Sequence, residues 1–148
     1  MTPAPNNSYL RNTVLQATPE RLQLMLYDGA IRFATQGREA VERRDFEQIY
    51  EKLSRAQRIV LEMQAGLRHE INPELCGRMS ALYNFIHHKL VNGSMNRSVA
   101  DIDDALHILK LERETWSMLV DKLARERTEV DGALCEVGRG APAGEFEA

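Results

Sequence analysis

Two Xaa-Pro-Glu signals and two further capping residues divide the chain into four long segments, and this punctuation constrains the fold more than any other feature. Thr18-Pro19-Glu20 and Asn72-Pro73-Glu74 each place a side-chain oxygen before a proline that suits the first turn of a helix. Asp45 can cap a second segment, and Ser98 with Asp101 resembles a weak capping box. The sequence therefore predicts four helices that begin directly after these caps.

The predicted helices are long, and short loops join them. We expect them at about residues 19–43, 46–67, 73–93 and 98–127, the third ending near Asn92-Gly93. No segment shows sustained β-branched alternation, so we expect no strands. Long helices with short connections favour an all-α fold, an antiparallel up-and-down four-helix bundle.

The two ends of the chain differ in composition from the middle. Residues 1–18 are expected to form a flexible N-terminal arm, because Met1–Ser8 is rich in proline and asparagine. Residues 129–148 are expected to form a disordered C-terminal tail, because Gly138–Gly144 is rich in glycine and proline. The helical bundle domain is then assigned to residues 19–128.

Composition and charge exclude several classes of protein. The 148 residues, 43% hydrophobic and 28% charged, fit one folded domain. A formal charge of −3 argues against nucleic-acid binding, which usually needs a basic surplus. Cys76 and Cys135 are too few for a disulfide framework and suit a reducing compartment. Without a long apolar run or a signal-peptide pattern in Met1–Ser8, we expect a cytoplasmic protein with no stable membrane insertion.

Apolar residues lie on more than one face of two predicted helices. The main faces predict a core that contains Leu22, Leu26, Phe33, Leu53, Leu82, Leu109 and Trp116. Second faces carry Leu24, Tyr27 and Ile31 on the first helix and Ile108, Leu111 and Met118 on the fourth. A small bundle normally needs one apolar stripe per helix. One explanation is that such a helix is central in the fold, or that the arm or the tail covers its second face. The other is that the second faces form a groove that accepts helices of a partner. The two explanations can both hold if the arm covers the groove until a partner displaces it.

The sequence contains no pattern that supports metal binding or catalysis. His87 and His88 are adjacent, so on a helix their side chains diverge and cannot easily share one ion. Asp28 is interpreted as a structural carboxylate that anchors the bundle or the arm. We therefore expect no catalytic residue, no metal and no cofactor. A small helical enzyme that uses Asp28 or the His87-His88 pair is a rival hypothesis.

A specific motif occurs near the start of the chain and resembles a known family. Tyr9 and Val14 precede Ala17-Thr18-Pro19, Leu22 follows, and Met25–Ala30 reads Met-Leu-Tyr-Asp-Gly-Ala. This spacing resembles the opening of the flagellar export chaperones called FliS. The similarity extends to about residue 123 through Ala56-Gln57, Ile59, Leu82-Tyr83, Lys89-Leu90 and Arg113–Trp116.

The resemblance implies an antiparallel helical bundle that binds newly made flagellin in the cytoplasm. The implied client is the C-terminal segment of flagellin, which such chaperones keep from polymerising and pass to the flagellar export gate. A disordered client can wrap a large surface and offset its ordering cost by burying amphipathic helices in apolar grooves. The chaperone is expected to be a monomer or a weak homodimer.

Two sets of residues are predicted to serve this function. The partner-binding residues are Ile59, Met63, Ile108, Leu111 and Met118. A displaceable N-terminal cap over the groove would consist of Tyr9, Leu10 and Val14. The alternative is a helical adaptor or regulator of secretion that shares the bundle and binds a different partner.

Overall fold

Five helices make up the part of the chain that the structure describes. The computed structural model describes the backbone of residues 4–140. Its helices are α1 (Ala4–Gln16), α2 (Pro19–Arg43), α3 (Phe46–Ala65), α4 (Pro73–Asn96) and α5 (Val99–Gly140). No strand occurs within residues 4–140, which confirms the predicted all-α fold. None of the described helices is both long enough and apolar enough to cross a membrane.

The four predicted capping residues begin the four long helices. In each case a side-chain oxygen accepts a hydrogen bond from the backbone N–H three residues further on, at 3.2–3.3 Å. These residues are Thr18, Asp45, Asn72 and Ser98. Each cap satisfies one of the N–H groups that a helix leaves unpaired at its start, so the predicted helix starts are confirmed.

The predicted end of the third bundle helix at Gly93 is wrong. Helix α4 continues to Asn96 and ends at Arg97, which adopts the left-handed conformation with φ 53°. Gly93 is buried where α4 meets α5, and a Cβ atom at this position would lie 2.5 Å from Cγ1 of Ile102. The glycine therefore permits close packing of two helices instead of ending one.

The structure also differs from the prediction near the C-terminal end. Helix α5 runs past the expected end at about Arg127 and reaches Gly140, so residues 129–140 of the predicted tail are helical. This stretch contains glycines but no proline. A glycine costs a helix about 1 kcal/mol, whereas a proline costs about 3 kcal/mol, so the helix can continue. The rest of the predicted tail, residues 141–148, lies outside the described residues.

The N-terminal arm contains a helix that the sequence did not predict. Helix α1 runs from Ala4 to Gln16, and only Ala17 and Thr18 separate it from α2. It makes no extensive contact with any other described helix. The first part of the predicted flexible segment, residues 1–3, lies outside the described residues.

The four long helices form a square in cross-section. Helix α2 packs against α3 and α5, and α4 packs against the same two helices. Helices α3 and α5 therefore lie on one diagonal, and α2 and α4 lie on the other. This is the predicted antiparallel four-helix bundle.

Ion pairs mark the antiparallel register of α2 and α5. The pairs are Arg38–Asp103, Arg113–Asp28 and Arg127–Glu20. As the residue number falls from 38 to 20 along α2, the number of the partner on α5 rises from 103 to 127, so the two helices are antiparallel. The pair of Arg113 with Asp28, at 2.6 Å between Nε and Oδ1, confirms that Asp28 is a structural carboxylate. Because these side chains are partly exposed and water screens their charges, the pairs indicate the register of the two helices more than they stabilise the bundle.

The core follows the predicted main apolar faces only in part. Leu53 and Leu109 are fully buried, as predicted. The other predicted core residues are half-buried, namely Leu22, Leu26, Phe33, Leu82 and Trp116. Tyr27, which the sequence placed on a second face of α2, is fully buried because α2 packs against helices on two sides. That second face is therefore largely core and not a free groove.

Candidate partner-binding site

The structure separates the predicted partner-binding residues into two groups. Ile59 and Met63 lie on α3, whereas Ile108, Leu111 and Met118 lie on α5. These two helices sit on a diagonal of the bundle and do not pack side by side. The predicted residues therefore do not line one groove between adjacent helices.

The two groups also differ in burial. Leu111 and Met118 are 53% and 65% exposed, whereas Met63 is 3% exposed. Ile59 and Ile108 are half-buried and pack against the core. Leu111 and Met118 thus form an outer apolar strip on α5. Met63 is instead almost completely buried in the interior at one end of the bundle.

A cavity of about 510 Å³ opens at the end of the bundle where α3 connects to α4. All four long helices contribute to its wall. The apolar side chains of the wall are Leu26, Met63, Leu67, Leu75, Met79, Trp116 and Leu119. Its volume falls in the range of ordinary ligand sites, about 300–1,000 Å³, and can hold several apolar side chains of a partner.

The connection between α3 and α4 creates this cavity. Helix α3 ends at Ala65 and α4 begins at Pro73, so an irregular segment closes one side of the bundle end. The buried thiol of Cys76 donates a hydrogen bond to the carbonyl oxygen of Arg68 at 3.3 Å and ties the segment to α4. Met79 of α4 lines the cavity but was not predicted to belong to the site. The available signal is the broad apolar arc that Leu75, Met79 and Leu82 form on this helix.

A polar cluster lies in the cavity wall. The hydroxyl oxygens of Tyr27 and Tyr83 are 2.7 Å apart and share a hydrogen bond, and Nε2 of Gln23 donates to the Tyr83 oxygen at 3.1 Å. Burial raises the pKa of both tyrosines, so the two hydroxyls stay protonated at neutral pH. Gln23 and Tyr83 line the cavity and give its apolar wall a neutral polar patch, whereas Tyr27 is fully buried behind them.

One carboxylate also lines the cavity. Glu112 of α5 is half-buried, and burial raises the pKa of its carboxyl group. Glu62 and Arg68, the other charged residues of the lining, are exposed. Glu112 is therefore the most enclosed charge among the described residues of the cavity.

Helix α1 presents apolar side chains near the same end of the bundle. The exposed residues are Tyr9, Leu10, Val14 and Leu15. Helix α1 joins α2 through Ala17 and Thr18, and Gln23 of α2 already lines the cavity. Gln16, the last residue of α1, and Gln23 are seven positions apart in the sequence. The predicted cap residues are thus close to the cavity along the chain, but their side chains are exposed and not seated in it.

A second exposed apolar cluster lies at the opposite end of the bundle. It contains Phe46, Tyr50 and Met95. The guanidinium of Arg97 lies 3.8 Å from the centre of the Phe46 ring and covers part of it. The cavity end is the better candidate for partner binding because it combines concavity with a larger apolar wall.

Acidic and metal-ligating side chains do not converge at this site. Across the described residues, no group of three or more His, Cys, Asp or Glu side chains could hold a metal ion. The acidic residues in the first turns of α5 form ion pairs with α4. Nζ of Lys89 lies 3.3 Å from Oδ1 of Asp101 and 3.1 Å from Oδ2 of Asp104. The arrangement is suited to burial of apolar groups from another chain.

Comparisons with known proteins agree with this geometry. The family described as "Flagellar protein FliS" matches residues 1–123. The flagellar secretion chaperone FliS of Bacillus subtilis is 29% identical over 123 residues, which cover 83% of this chain and 91% of that protein. The flagellar secretion chaperone FliS of Salmonella typhimurium is 27% identical over 114 residues, covering 76% of this chain and 84% of that protein.

A solved structure has the same fold. It is described as "Crystal structure of flagellar chaperone from bacteria" and superposes with a TM-score of 0.66 at 18% identity, covering 80% of this chain and 99% of that chain. The part of α5 after residue 123 lies beyond the family match.

Proposed function

This chain belongs to the FliS family of flagellar secretion chaperones, and we propose that its client is the C-terminal segment of flagellin. The family is one of chaperones and not of enzymes. In this proposal the chain binds flagellin in the cytoplasm, prevents premature polymerisation and delivers it to the export gate of the flagellar type III apparatus. The free chaperone is a monomer or a weak homodimer.

The cavity at the α3–α4 end is the observation that supports this proposal most. Its wall of leucine, methionine and tryptophan side chains suits the apolar face of an amphipathic helix. Methionine side chains adapt to irregular shapes, which helps a chaperone hold a segment that is disordered when free. Burial of apolar surface would offset the entropy that such a segment loses on ordering.

The outer strip of α5 extends the proposed surface. Leu111 and Met118 are exposed on α5, on the diagonal from Ile59 and Met63 of α3. One rigid helix cannot contact both sets at once, but a disordered client can wrap around the bundle and reach each in turn. All of the predicted residues, including Ile108, are therefore proposed as contacts of a client that occupies two separate places on the bundle.

The single tryptophan provides a direct assay of client binding. Trp116 lines the cavity, and the chain contains no other tryptophan. A flagellin C-terminal peptide that lacks tryptophan should therefore change the fluorescence of Trp116 as it fills the cavity. Absence of both a fluorescence change and calorimetric binding heat would contradict the proposed client.

Three aspartate variants test the location of the site. Leu119→Asp places a charge in the cavity wall, Leu111→Asp places one on the outer strip, and Leu61→Asp is a control at an exposed leucine of α3 outside both. We expect the first two to weaken peptide binding at least about fivefold, because an unpaired charge buried on binding costs about 1–3 kcal/mol or more. Equal effects of all three variants would refute the assignment.

The N-terminal helix is proposed to act as a displaceable cap. The exposed side chains of Tyr9, Leu10 and Val14 would enter the apolar site when no client is bound. Deletion of residues 1–15 should then speed association of the peptide. Unchanged association by a folded truncated protein would exclude competition, and loss of binding would show that the segment contacts the client.

Delivery is tested separately from binding. Pull-downs of the chaperone are compared between cells with and without flagellin. Export-gate components should be recovered together with the chaperone–flagellin complex from the cells that contain flagellin. Recovery of a different secreted protein in place of flagellin would favour the adaptor alternative.

A further inference from the structure

Glu112 differs from the carboxylates that lie along the contact of α2 with α5. Other carboxylates along the contact of α2 with α5 each pair with an arginine, namely Glu20, Asp28 and Asp103. No described residue forms an ion pair or a side-chain hydrogen bond with Glu112. It nevertheless lies on the face of α5 that lines the cavity, one turn before Trp116.

The surroundings of Glu112 make its charge costly in the free protein. Leucine, methionine and tryptophan side chains form most of the cavity wall. A charge that loses water without gaining a partner raises the free energy of the folded state, and the raised pKa of the Glu112 carboxyl reflects this burial. A cationic group that entered the cavity would remove that cost.

The neighbouring polar groups do not supply such a cation. The hydroxyls of Tyr27 and Tyr83 bond each other, and Gln23 contributes a neutral amide. Arg68 and Glu62 are exposed residues of the lining and balance each other in charge. The interior of the cavity is therefore apolar with one net negative charge.

We propose that the cavity selects a partner segment in which a lysine or arginine side chain lies beside apolar residues, and that the Glu112 carboxylate is its counter-ion. This inference rests on the proposed function and defines the chemistry of the client. The aliphatic stem of the basic side chain fits the apolar wall while its charged end reaches the carboxylate. A half-buried pair of this kind is stronger than a surface pair because water screens it less.

The test compares Glu112→Gln with Glu114→Gln as a matched control. Glu114 lies two residues away on α5, is exposed and lies outside the cavity wall, so both variants make the same change in net charge. The probes are a flagellin C-terminal peptide and a leucine-rich amphipathic peptide made with either a central lysine or a central glutamine. Affinity is measured by calorimetry at low and high salt.

We expect Glu112→Gln to weaken binding of the flagellin peptide and the lysine probe about tenfold and to reduce its salt dependence, whereas Glu114→Gln changes neither by more than about twofold. The glutamine probe should bind Glu112→Gln at least as tightly as wild type, because it offers no cation to lose and covers an unpaired carboxylate only in wild type. Replacing basic residues of the flagellin peptide one at a time by methionine should identify one position that abolishes the effect of Glu112→Gln.

The outcomes separate this inference from the proposed function. If flagellin peptide binds but Glu112→Gln and Glu114→Gln behave alike, charge selection is overturned and the flagellin proposal stands. If the lysine probe is preferred through Glu112 but the flagellin peptide does not bind, the flagellin proposal fails and the selection rule stands. If no probe binds the cavity, both are overturned.

Discussion

Replacing Gly37 with alanine should destabilise the bundle, although alanine is the better helix former. Gly37 lies on α2 where α3 packs closest, and a Cβ atom there would lie 2.4 Å from Cδ2 and 2.6 Å from Cγ of Leu53. Non-bonded carbon atoms prefer about 3.5–4.0 Å, so the side chain or the helix must shift by about 1 Å. Leu53 is fully buried, so its neighbours resist that shift.

The magnitude follows from two opposed terms. Overpacking a well-filled core costs about 1–3 kcal/mol, and contact with both Cδ2 and Cγ favours the upper part of that range. The gain in helix propensity returns about 1 kcal/mol. The net loss of about 2 kcal/mol should lower Tm by roughly 4–8 °C in a domain of this size, measured by circular dichroism or calorimetry.

A control variant distinguishes the effect of the close contact with Leu53 from the general effect of replacing a helical glycine with alanine. Gly77 of α4 is exposed, and a Cβ atom there would meet nothing within 4 Å, so Gly77→Ala should raise stability by up to about 1 kcal/mol. In the presence of Leu53→Ala, which makes room, Gly37→Ala should lose most of its cost. A Gly37→Ala protein as stable as wild type would refute the close approach of α2 and α3.

Other measurements test the cavity wall and the end of α5. Because burial raises the pKa of Glu112 in the folded protein, its protonated form stabilises the fold at low pH, and that contribution is lost as pH rises through the folded pKa. Glu112→Gln should therefore raise Tm at pH 7, with a gain that shrinks towards pH 4; a gain independent of pH would contradict this linkage. Tyr83→Phe should cost about 2 kcal/mol in chemical denaturation and Tyr27→Phe about 1 kcal/mol, because only the first change leaves both Tyr27 and Gln23 without their partner. The opposite order would refute the hydrogen-bond assignment. Deletion of residues 128–148 should leave Tm within roughly 2 °C, because the described apolar side chains of that segment are exposed; a larger fall would show that the segment packs on the bundle.

The fold was predictable where its determinants are local. A cap such as Thr18 or Asn72 acts on N–H groups within three residues, so the sequence alone identifies the start of the helix. The role of Gly93 was not predictable, because the same residue can end a helix or admit a close neighbour. Only the position of Ile102 on α5 decides between the two.

The candidate site was predictable only in part, for a related physical reason. Helical periodicity gives the direction of a side chain around its own axis, which placed Met63 and Leu111 on apolar faces. It does not say which helices adjoin, so it could not show that α3 and α5 lie on a diagonal. Glu112 was missed because a charged residue on a helix ordinarily indicates a solvated face.

The cavity end of the bundle contains groups that lower the stability of the free protein, and the same groups are the ones proposed to bind the client. Glu112 is half-buried there without a described ion partner, and Leu75 and Leu119 keep part of their apolar surface exposed. A client would cover the exposed apolar surface with its apolar side chains and pair with Glu112 through a basic group. The apolar contacts would then supply affinity, and the ion pair would supply selectivity. If α1 competes for the same surface, the apparent affinity falls by the fraction of molecules in which the site is free. A chaperone that must release its client benefits from that reduction, because the cap can return as the client leaves.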